Sequence, residues 1–141
     1  MNKNRIPYLV IGGIAVNLHG LIRLTRDLDL MIDLTKKHLE KFINVMGSLD
    51  YSTSVPKYKW PKLTAIAFEH KGDPTKRVDI FLKNPMDFKR AHKRRKVFTV
   101  EGIRISCISL NDLIRLKSKV DRVRDWIDVG SLKRMKDLRK Q

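Results

Sequence analysis

Three aspartates lie on two predicted β-strands, where charged residues are uncommon. Asp27 and Asp29 alternate with leucines in the segment RLTRDLDLMID, and Asp79 lies in KRVDIFL. Because successive strand residues point to opposite faces, Asp27 and Asp29 share one face and the apolar residues share the other. Like charges on one face repel each other unless a positive charge lies between them. Carboxylate oxygens suit Mg²⁺ or Mn²⁺, so the pattern predicts a metal site.

A glycine pair precedes the first of these strands. Gly12 and Gly13 follow the apolar run YLVI, which predicts a buried strand over 7–11, and they precede a short helix predicted over 14–18. The N-terminus of a helix offers free N–H groups and the positive end of the helix dipole. A glycine turn at this point is therefore a phosphate site, and nearby carboxylates could hold metal ions that bridge phosphate oxygens.

This order of features resembles the polymerase-β-like nucleotidyltransferase superfamily. The segment IGGIAVNLHGLIRLTRDLDLMID is similar to its first motif, in which a Gly-Gly or Gly-Ser turn is followed by an Asp-x-Asp strand. The run VDIF is similar to the strand that carries the third carboxylate, and LKSKVDRVRDWIDVGSL resembles the C-terminal helical motif. The likeness covers roughly residues 8–132 and is greatest to small prokaryotic members, including nucleotidyltransferase toxins of the abortive-infection type.

The resemblance implies a two-metal transfer of a nucleoside monophosphate from an NTP to a hydroxyl group. Asp27 and Asp29 would hold the metal ion bound to the triphosphate, and Asp79, with that pair, would hold the second ion and help to deprotonate the acceptor. Gly12 and Gly13 would bind phosphates through their N–H groups. The further phosphate contacts that the resemblance implies are Arg23, Thr25 and Lys117.

Two features depart from the family's pattern. Gly13 stands where many relatives have serine, so a hydroxyl contact to phosphate is absent. The helix that often precedes the first strand is missing as well. We expect the apolar surface thus left open to be covered by a protein partner or by a second copy of the chain.

The chain is strongly basic, which favours a polyanionic partner. Its 141 residues include 31 lysines and arginines and 15 acidic residues, giving a net charge of +16. Such an excess attracts nucleic acids and nucleotides. A dense basic stretch falls on a helix predicted over 86–96, and beside a metal site it suits an RNA backbone, although a solvated helix face is the alternative. The basic stretch consists of Lys89, Arg90, Lys93, Arg94, Arg95 and Lys96.

Ordinary structural roles are the alternatives for several of these residues. Arg23 could be a solvated loop charge, and Lys117 could lie on the surface of its helix. The three aspartates could pair with the nearby cations Arg26, Lys76 or Arg77.

Four other residues are expected to be structural rather than catalytic. His19, at the end of the short helix, is expected to pack or cap, and Cys107, in an apolar run, to be a buried small hydrophobe. Trp60 is expected to anchor the loop predicted over 50–62 against the core. Asp128, close to two arginines, is expected to pair on a helix surface.

The order of predicted elements, β-α-β-α-β-β-α-β-β-α-α, indicates one α+β domain over residues 1–141. We expect a mixed sheet with helices packed mainly on one side. Thr35 and Ser109 are predicted N-caps, and a C-terminal helical segment begins at about 109, with Asp112 in the position of a capping-box acid. The remaining predicted strands cover 28–33, 63–69, 77–82, 97–100 and 103–107.

These observations predict a metal-dependent nucleotidyltransferase with Mg²⁺ or Mn²⁺ as its cofactor. The acceptor hydroxyl could belong to tRNA, a protein side chain or a small molecule, and the basic charge favours RNA. A toxin role would bring an antitoxin as a partner. The alternative is a non-catalytic module that binds nucleotide or RNA.

Composition bounds the location of the chain. A single cysteine excludes an internal disulfide, and no apolar run is long enough to span a membrane. The N-terminus lacks the apolar region and cleavage site of a secretory signal. We therefore expect a cytoplasmic protein without a membrane partner.

Overall fold

The computed structural model describes residues 5–21, 27–119 and 123–140. Its strands are β1 (Tyr8–Ile11), β2 (Asp27–Ile32), β3 (Tyr51–Ser52), β4 (Ala65–His70), β5 (Arg77–Phe81), β6 (Lys96–Val100) and β7 (Ile103–Cys107). Its α-helices are α1 (Gly12–Leu18), α2 (Lys36–Ser48), α3 (Phe88–Lys93), α4 (Leu110–Ser118) and α5 (Val123–Lys140). No helix within these ranges combines the length and the apolar composition needed to cross a membrane.

The described strands form one mixed sheet of seven strands in the order β3-β4-β5-β2-β1-β7-β6. Strand β1 runs antiparallel to β2 and parallel to β7, while β2 runs parallel to β5. Helix α1 packs on β1 and β2, and α4 contacts both α1 and α5. The expected α+β fold with a mixed sheet is confirmed.

The two faces of the central strands differ in chemistry. Leu30 of β2, Ile80 of β5 and Phe68 of β4 lie on the apolar face, and all three are buried. Phe42 of α2 packs edge-to-face on Phe68, with 5.5 Å between the ring centroids. This packing leaves the opposite face of β2 and β5, which carries Asp29 and the other aspartates, open at one end of the sheet.

Both predicted N-caps are confirmed. The Thr35 hydroxyl accepts a hydrogen bond from the His38 N–H at 3.2 Å, and the Ser109 hydroxyl accepts one from the Asp112 N–H at 3.1 Å. These side chains satisfy amide groups that the first turn of a helix leaves without a carbonyl partner. Helix α4 therefore begins where the sequence predicts.

The structure corrects two predicted segments. The helix predicted over 86–96 is shorter, because Asp87 caps it by accepting a hydrogen bond from Arg90 N–H at 2.9 Å and because Lys96 already belongs to β6. The segment predicted as a loop over 50–62 contains β3 and a 3₁₀-helix, Lys57–Lys62. Trp60 in that helix is buried and donates its indole N–H to Val55 O at 3.0 Å. Its predicted anchoring role is confirmed.

Candidate active site

The carboxyl groups of Asp29 and Asp79 meet on the open face of the sheet. Asp29 is in register with Asp79 on the neighbouring parallel strand and with Ile11 at the end of β1. Among the side chains around Asp29, Asp79 raises its pKa the most, which shows that the two carboxyl groups lie close together. Two of the three predicted aspartates thus lie together at the point where β1 ends and α1 begins.

Asp27 is on the same face but farther out. It stands at the exposed start of β2, two residues before Asp29, and its register partner on β5 is Arg77. Within the described residues, no three side chains of His, Cys, Asp or Glu are close enough together to bind one metal ion. The site is therefore a close carboxyl pair with a third carboxylate along the same face.

Burial and like charge both act on Asp29. Its pKa is raised to about 7, first by burial, then by the charge and the hydrogen bond of Asp79, and then by the charge of Asp27. The ammonium group of Lys117 acts in the opposite direction and lowers the pKa. A divalent cation would relieve the same repulsion, and carboxylate oxygens are the ligands that Mg²⁺ and Mn²⁺ prefer. The donor set fits such a cation.

Gly12 closes the site from the side of α1. Its backbone is in the left-handed region, with φ of +68°, and a Cβ at this position would overlap Asp29 Oδ2. Only glycine combines this conformation with so close an approach to the carboxylate. Gly13, the next residue, is buried in the first turn of the same helix. The glycine turn therefore lies directly beside the predicted metal ligands.

Asp79 also has a cationic partner. The Nε of Arg77 donates to Asp79 Oδ1 at 2.9 Å, and the Arg77 side chain is 45% exposed. The guanidinium pKa is raised by this hydrogen bond and by the charge of Asp79. The ion pair expected from the structural alternative is present for Asp79, and it occupies one oxygen of a predicted metal ligand.

Lys117 and Asp128 do not lie on helix surfaces, contrary to what the structural alternatives for these two residues predicted. Both are buried, and Lys117 Nζ lies 3.1 Å from Asp128 Oδ2, so the lysine is not on the surface of its helix and the aspartate does not pair there. The pair links α4 to α5. The charge of Lys117 also lowers the pKa of Asp29. The sequence does not predict this pair, because an Asp eleven residues after a lysine in a helical segment carries no local signal of contact.

Two predicted phosphate contacts, Arg23 and Thr25, lie outside the described residues. The same holds for Arg26, which was an alternative partner of the aspartates. Their proposed roles remain predictions.

The basic stretch divides into anchored and exposed residues. Arg94 donates from Nε to Asp112 Oδ2 at 2.9 Å and from Nη2 to Oδ1 at 3.2 Å, and Asp112 is only 1% exposed. Arg95 donates to His92 O at 3.0 Å. Arg94 therefore has a structural role that the sequence did not reveal. The residues of the stretch that are exposed without such a bond to a buried carboxylate are Lys89, Arg90, Lys93, Arg95 and Lys96.

His19 and Cys107 are structural, as expected. The His19 ring is buried, its Nε2 is 2.7 Å from Ile108 O, and it meets Phe98 edge-on at 5.3 Å. Cys107 is fully buried, and burial raises the pKa of its thiol to about 12. A thiol of this kind is not a nucleophile at neutral pH.

A glycine turn against a carboxyl pair on a mixed α+β sheet is the arrangement that the resemblance to nucleotidyltransferases predicts. Comparison with known proteins agrees, since the family model described as "Nucleotidyl transferase of unknown function" matches residues 1–140. The chain belongs to this family, and it is an enzyme that transfers nucleotidyl groups. A search of curated proteins finds no match to the sequence.

Several solved structures share the fold. The lincosamide antibiotic adenylyltransferase LnuA, with lincomycin bound, is 21% identical, covers 95% of this chain and 90% of its own, and has a TM-score of 0.67. An antigenic nucleotidyltransferase-like protein from Paracoccidioides brasiliensis is 16% identical, with 97% and 70% covered and a TM-score of 0.64. ANT(2")-Ia in complex with adenylyl-2"-tobramycin is 14% identical, with 99% and 88% covered and a TM-score of 0.59. At these identities the likeness shows the fold.

Proposed function

We propose that the chain transfers a nucleoside monophosphate from an NTP to a hydroxyl acceptor with two Mg²⁺ or Mn²⁺ ions as cofactors. The observation that carries this proposal is the half-buried pair of Asp29 and Asp79 beside the turn at Gly12. Burying two like charges together is unfavourable unless a cation compensates them, and the raised pKa of Asp29 shows that no neighbouring side chain does so fully. An NTP donor also fits the cytoplasmic location expected from the sequence.

Each residue of the site has a role in this proposal. Asp27 and Asp29 would hold the ion bound to the triphosphate. Asp79, together with that pair, would hold the second ion and help to deprotonate the attacking hydroxyl group. When bound, the ions would neutralise charge on the phosphate, the attacking oxygen and the leaving oxygen. Gly12 and Gly13 would donate backbone N–H groups to the phosphates. The further phosphate contacts in this proposal are Lys117, Arg23 and Thr25.

RNA, and tRNA in particular, is our first choice of acceptor. The exposed cations of the basic stretch support it, because a run of unneutralised charge attracts a phosphodiester backbone. The stretch ends at the start of β6, where Lys96 is in register with Cys107 and thereby lies at the same end of the sheet as the site. A toxin role with a cognate antitoxin, or an assembly of two copies, belongs to the same proposal.

A small-molecule acceptor is the second candidate. A cleft of about 240 Å³ lies beside Asp79, and its walls suit a small acceptor with an apolar side. Two enzymes with this fold, LnuA and ANT(2")-Ia, are named for antibiotic substrates or products. The residues that line the cleft are Asp29, Ala65, Ile66, Ala67, Arg77, Asp79, Ile80 and Phe81.

Transfer of label from each of four α-labelled NTPs to total RNA and total protein, with Mg²⁺, tests the proposal. Asp29→Asn removes one carboxylate of the site, and Asp50→Asn is the matched control on an exposed turn outside it. We expect a labelled RNA band that Asp29→Asn loses and Asp50→Asn keeps. Label in protein would move the acceptor to a side chain, and label in neither would favour a small acceptor.

Ligand-induced stabilisation separates the enzyme from a non-catalytic module. Mg²⁺ with NTP should raise the melting temperature of the wild type by mass action on the folded state. Asp29→Asn should show no such rise. An equal response of both proteins would mean that these aspartates do not hold the metal, and no response of either would remove NTP as the donor.

A further inference from the structure

Arg77 is the cation bound to Asp79, and its position gives it other carboxylates within reach. It lies at the start of β5, on the same face as the aspartates and directly across from Asp27 on β2. On its other side it is in register with Glu69 of β4. Its guanidinium is bound to Asp79, two residues along its own strand, at 2.9 Å. Arg77 thus lies between two carboxylates of the site, Asp27 and Asp79, and one carboxylate outside it, Glu69.

We propose that Arg77 competes with a divalent cation for the Asp79 carboxylate, and that cation binding moves the guanidinium across the strand to Glu69. The inference rests on the proposed metal site at Asp29 and Asp79. It adds a positioning residue and a second binding partner for that residue, Glu69.

The exposure of Arg77 and Asp79, and of the exposed residue Glu69, makes this exchange feasible. Arg77 is 45% exposed and Asp79 is 22% exposed, and an ion pair in contact with water is held by only about 1 kcal/mol or less. A long side chain at the surface of a strand can change rotamer without any movement of the backbone. Metal binding can therefore displace the guanidinium, whereas a fully buried pair would resist it.

The carboxylates around Arg77 determine which partner binds its guanidinium after a cation displaces it from Asp79. The charges of Asp79, Asp27 and Glu69 all raise its pKa, in that order of size after the hydrogen bond to Asp79. Once a cation neutralises Asp79 and Asp27, Glu69 is the carboxylate that still attracts the guanidinium. Glu69 and Arg77 are direct cross-strand partners, and opposite charges at such positions attract.

The two arrangements have different consequences for substrate. When Arg77 is bound to Asp79, its guanidinium helps to line the cleft beside the carboxyl pair. With Arg77 on Glu69, both oxygens of Asp79 are available to the metal and the cleft beside it is wider. The resting protein would therefore bind metal more weakly than its carboxylates alone allow, and metal binding would also open the acceptor side.

Binding of Mn²⁺ alone, titrated by the electron paramagnetic resonance of the free ion, tests the exchange. Arg77→Gln should tighten binding about fivefold, the factor that corresponds to an exposed charge pair of ~1 kcal/mol. Lys76→Gln, which removes the same charge from the neighbouring residue, should change binding less than twofold. Equal effects of both variants would mean that only general charge matters, and would overturn the proposal.

Glu69 gives an independent test of opposite sign. Glu69→Gln should weaken Mn²⁺ binding, because the displaced guanidinium loses its second partner. In the Arg77→Gln background Glu69→Gln should have almost no effect on Mn²⁺ affinity, since no guanidinium remains to pair with Glu69. A double-mutant cycle measures this coupling between the two residues. Additive effects of the two changes would contradict the exchange.

Asp29→Asn separates the failure of this inference from failure of the proposed function. If Asp29→Asn abolishes Mn²⁺ binding but Arg77→Gln binds Mn²⁺ as tightly as the wild type, the metal site stands and only the proposed exchange is overturned. Absence of Mn²⁺ binding to the wild type would overturn both.

Discussion

Gly12 lies directly against the carboxyl group of Asp29. A Cβ at Gly12 would overlap Asp29 Oδ2 and lie only 3.0 Å from Asp29 Cγ. This contact fixes the turn that begins α1 relative to the strand that carries the aspartates. The geometry of the phosphate turn and that of the carboxyl pair are therefore set together.

Replacing Gly12 by alanine should strain both the turn and the carboxyl group. We expect Gly12→Ala to lower the free energy of unfolding by about 1–3 kcal/mol, because the backbone at φ +68° is unfavourable for alanine and the new methyl group meets Asp29. Urea unfolding measures the change. Gly47→Ala, on α2 where an added Cβ would meet no other atom within 4 Å, should be neutral or stabilising. A neutral Gly12→Ala variant would show that Asp29 is free to turn aside.

The stability of the metal-free protein should fall as the pH rises from about 4 to about 7. The ordinary pKa of Asp29 is 3.8, and burial and the charge of Asp79 raise it to about 7 in the folded chain. The folded state therefore binds this proton more tightly than the unfolded state, so its deprotonation through that range is destabilising. Melting temperatures between pH 4 and pH 8 measure the fall.

The same range of pH distinguishes Asp29 from other carboxyl groups. Asp29→Asn should flatten this part of the profile, and Asp50→Asn should leave it unchanged. Mg²⁺ should restore stability most strongly above pH 7, where the carboxylate is ionised. A wild-type profile that rises over the same range would contradict the raised pKa.

The Lys117–Asp128 pair should be important for joining α4 to α5. Both side chains are buried and their charged atoms are 3.1 Å apart, so removing one leaves the other charge in a site of low polarity. We expect Asp128→Asn to cost about 2–4 kcal/mol. The double variant Lys117→Met/Asp128→Leu should lose less than the sum of the two single changes in a denaturant titration. Additive losses would show that the two groups act separately.

Substitutions at Arg94 and at its neighbour Lys93 should distinguish a loss of stability from a loss of RNA affinity. Arg94 is bound through two nitrogens to the buried carboxylate of Asp112, so Arg94→Gln should lower the melting temperature. Lys93 is exposed at the end of α3, and Lys93→Gln should leave stability unchanged while it weakens binding to single-stranded RNA in a gel-shift titration. Unchanged RNA affinity in Lys93→Gln, and equally in Lys96→Gln, would remove the basic stretch from the acceptor site.

The regular elements near the site could be predicted from local pattern. The alternation of Asp27 and Asp29 with leucines predicts the strand β2, and Thr35 and Ser109 predict the starts of their helices. These signals depend on the period of a strand and on hydrogen bonds within one helical turn, so a short window of sequence contains them. The helix predicted over 86–96 was too long, because its end depends on where β6 joins the sheet.

The sequence by itself determined the type of site. A glycine turn, two alternating aspartates and a third one on a later strand define the chemistry, because residue types and strand alternation decide which groups can share a face. Only the tertiary structure decided which of these groups touch. Strand order and register place Asp79 against Asp29, and the packing of α4 on α5 places Lys117 against Asp128. Such contacts join segments far apart in the chain, and no local pattern specifies their partners.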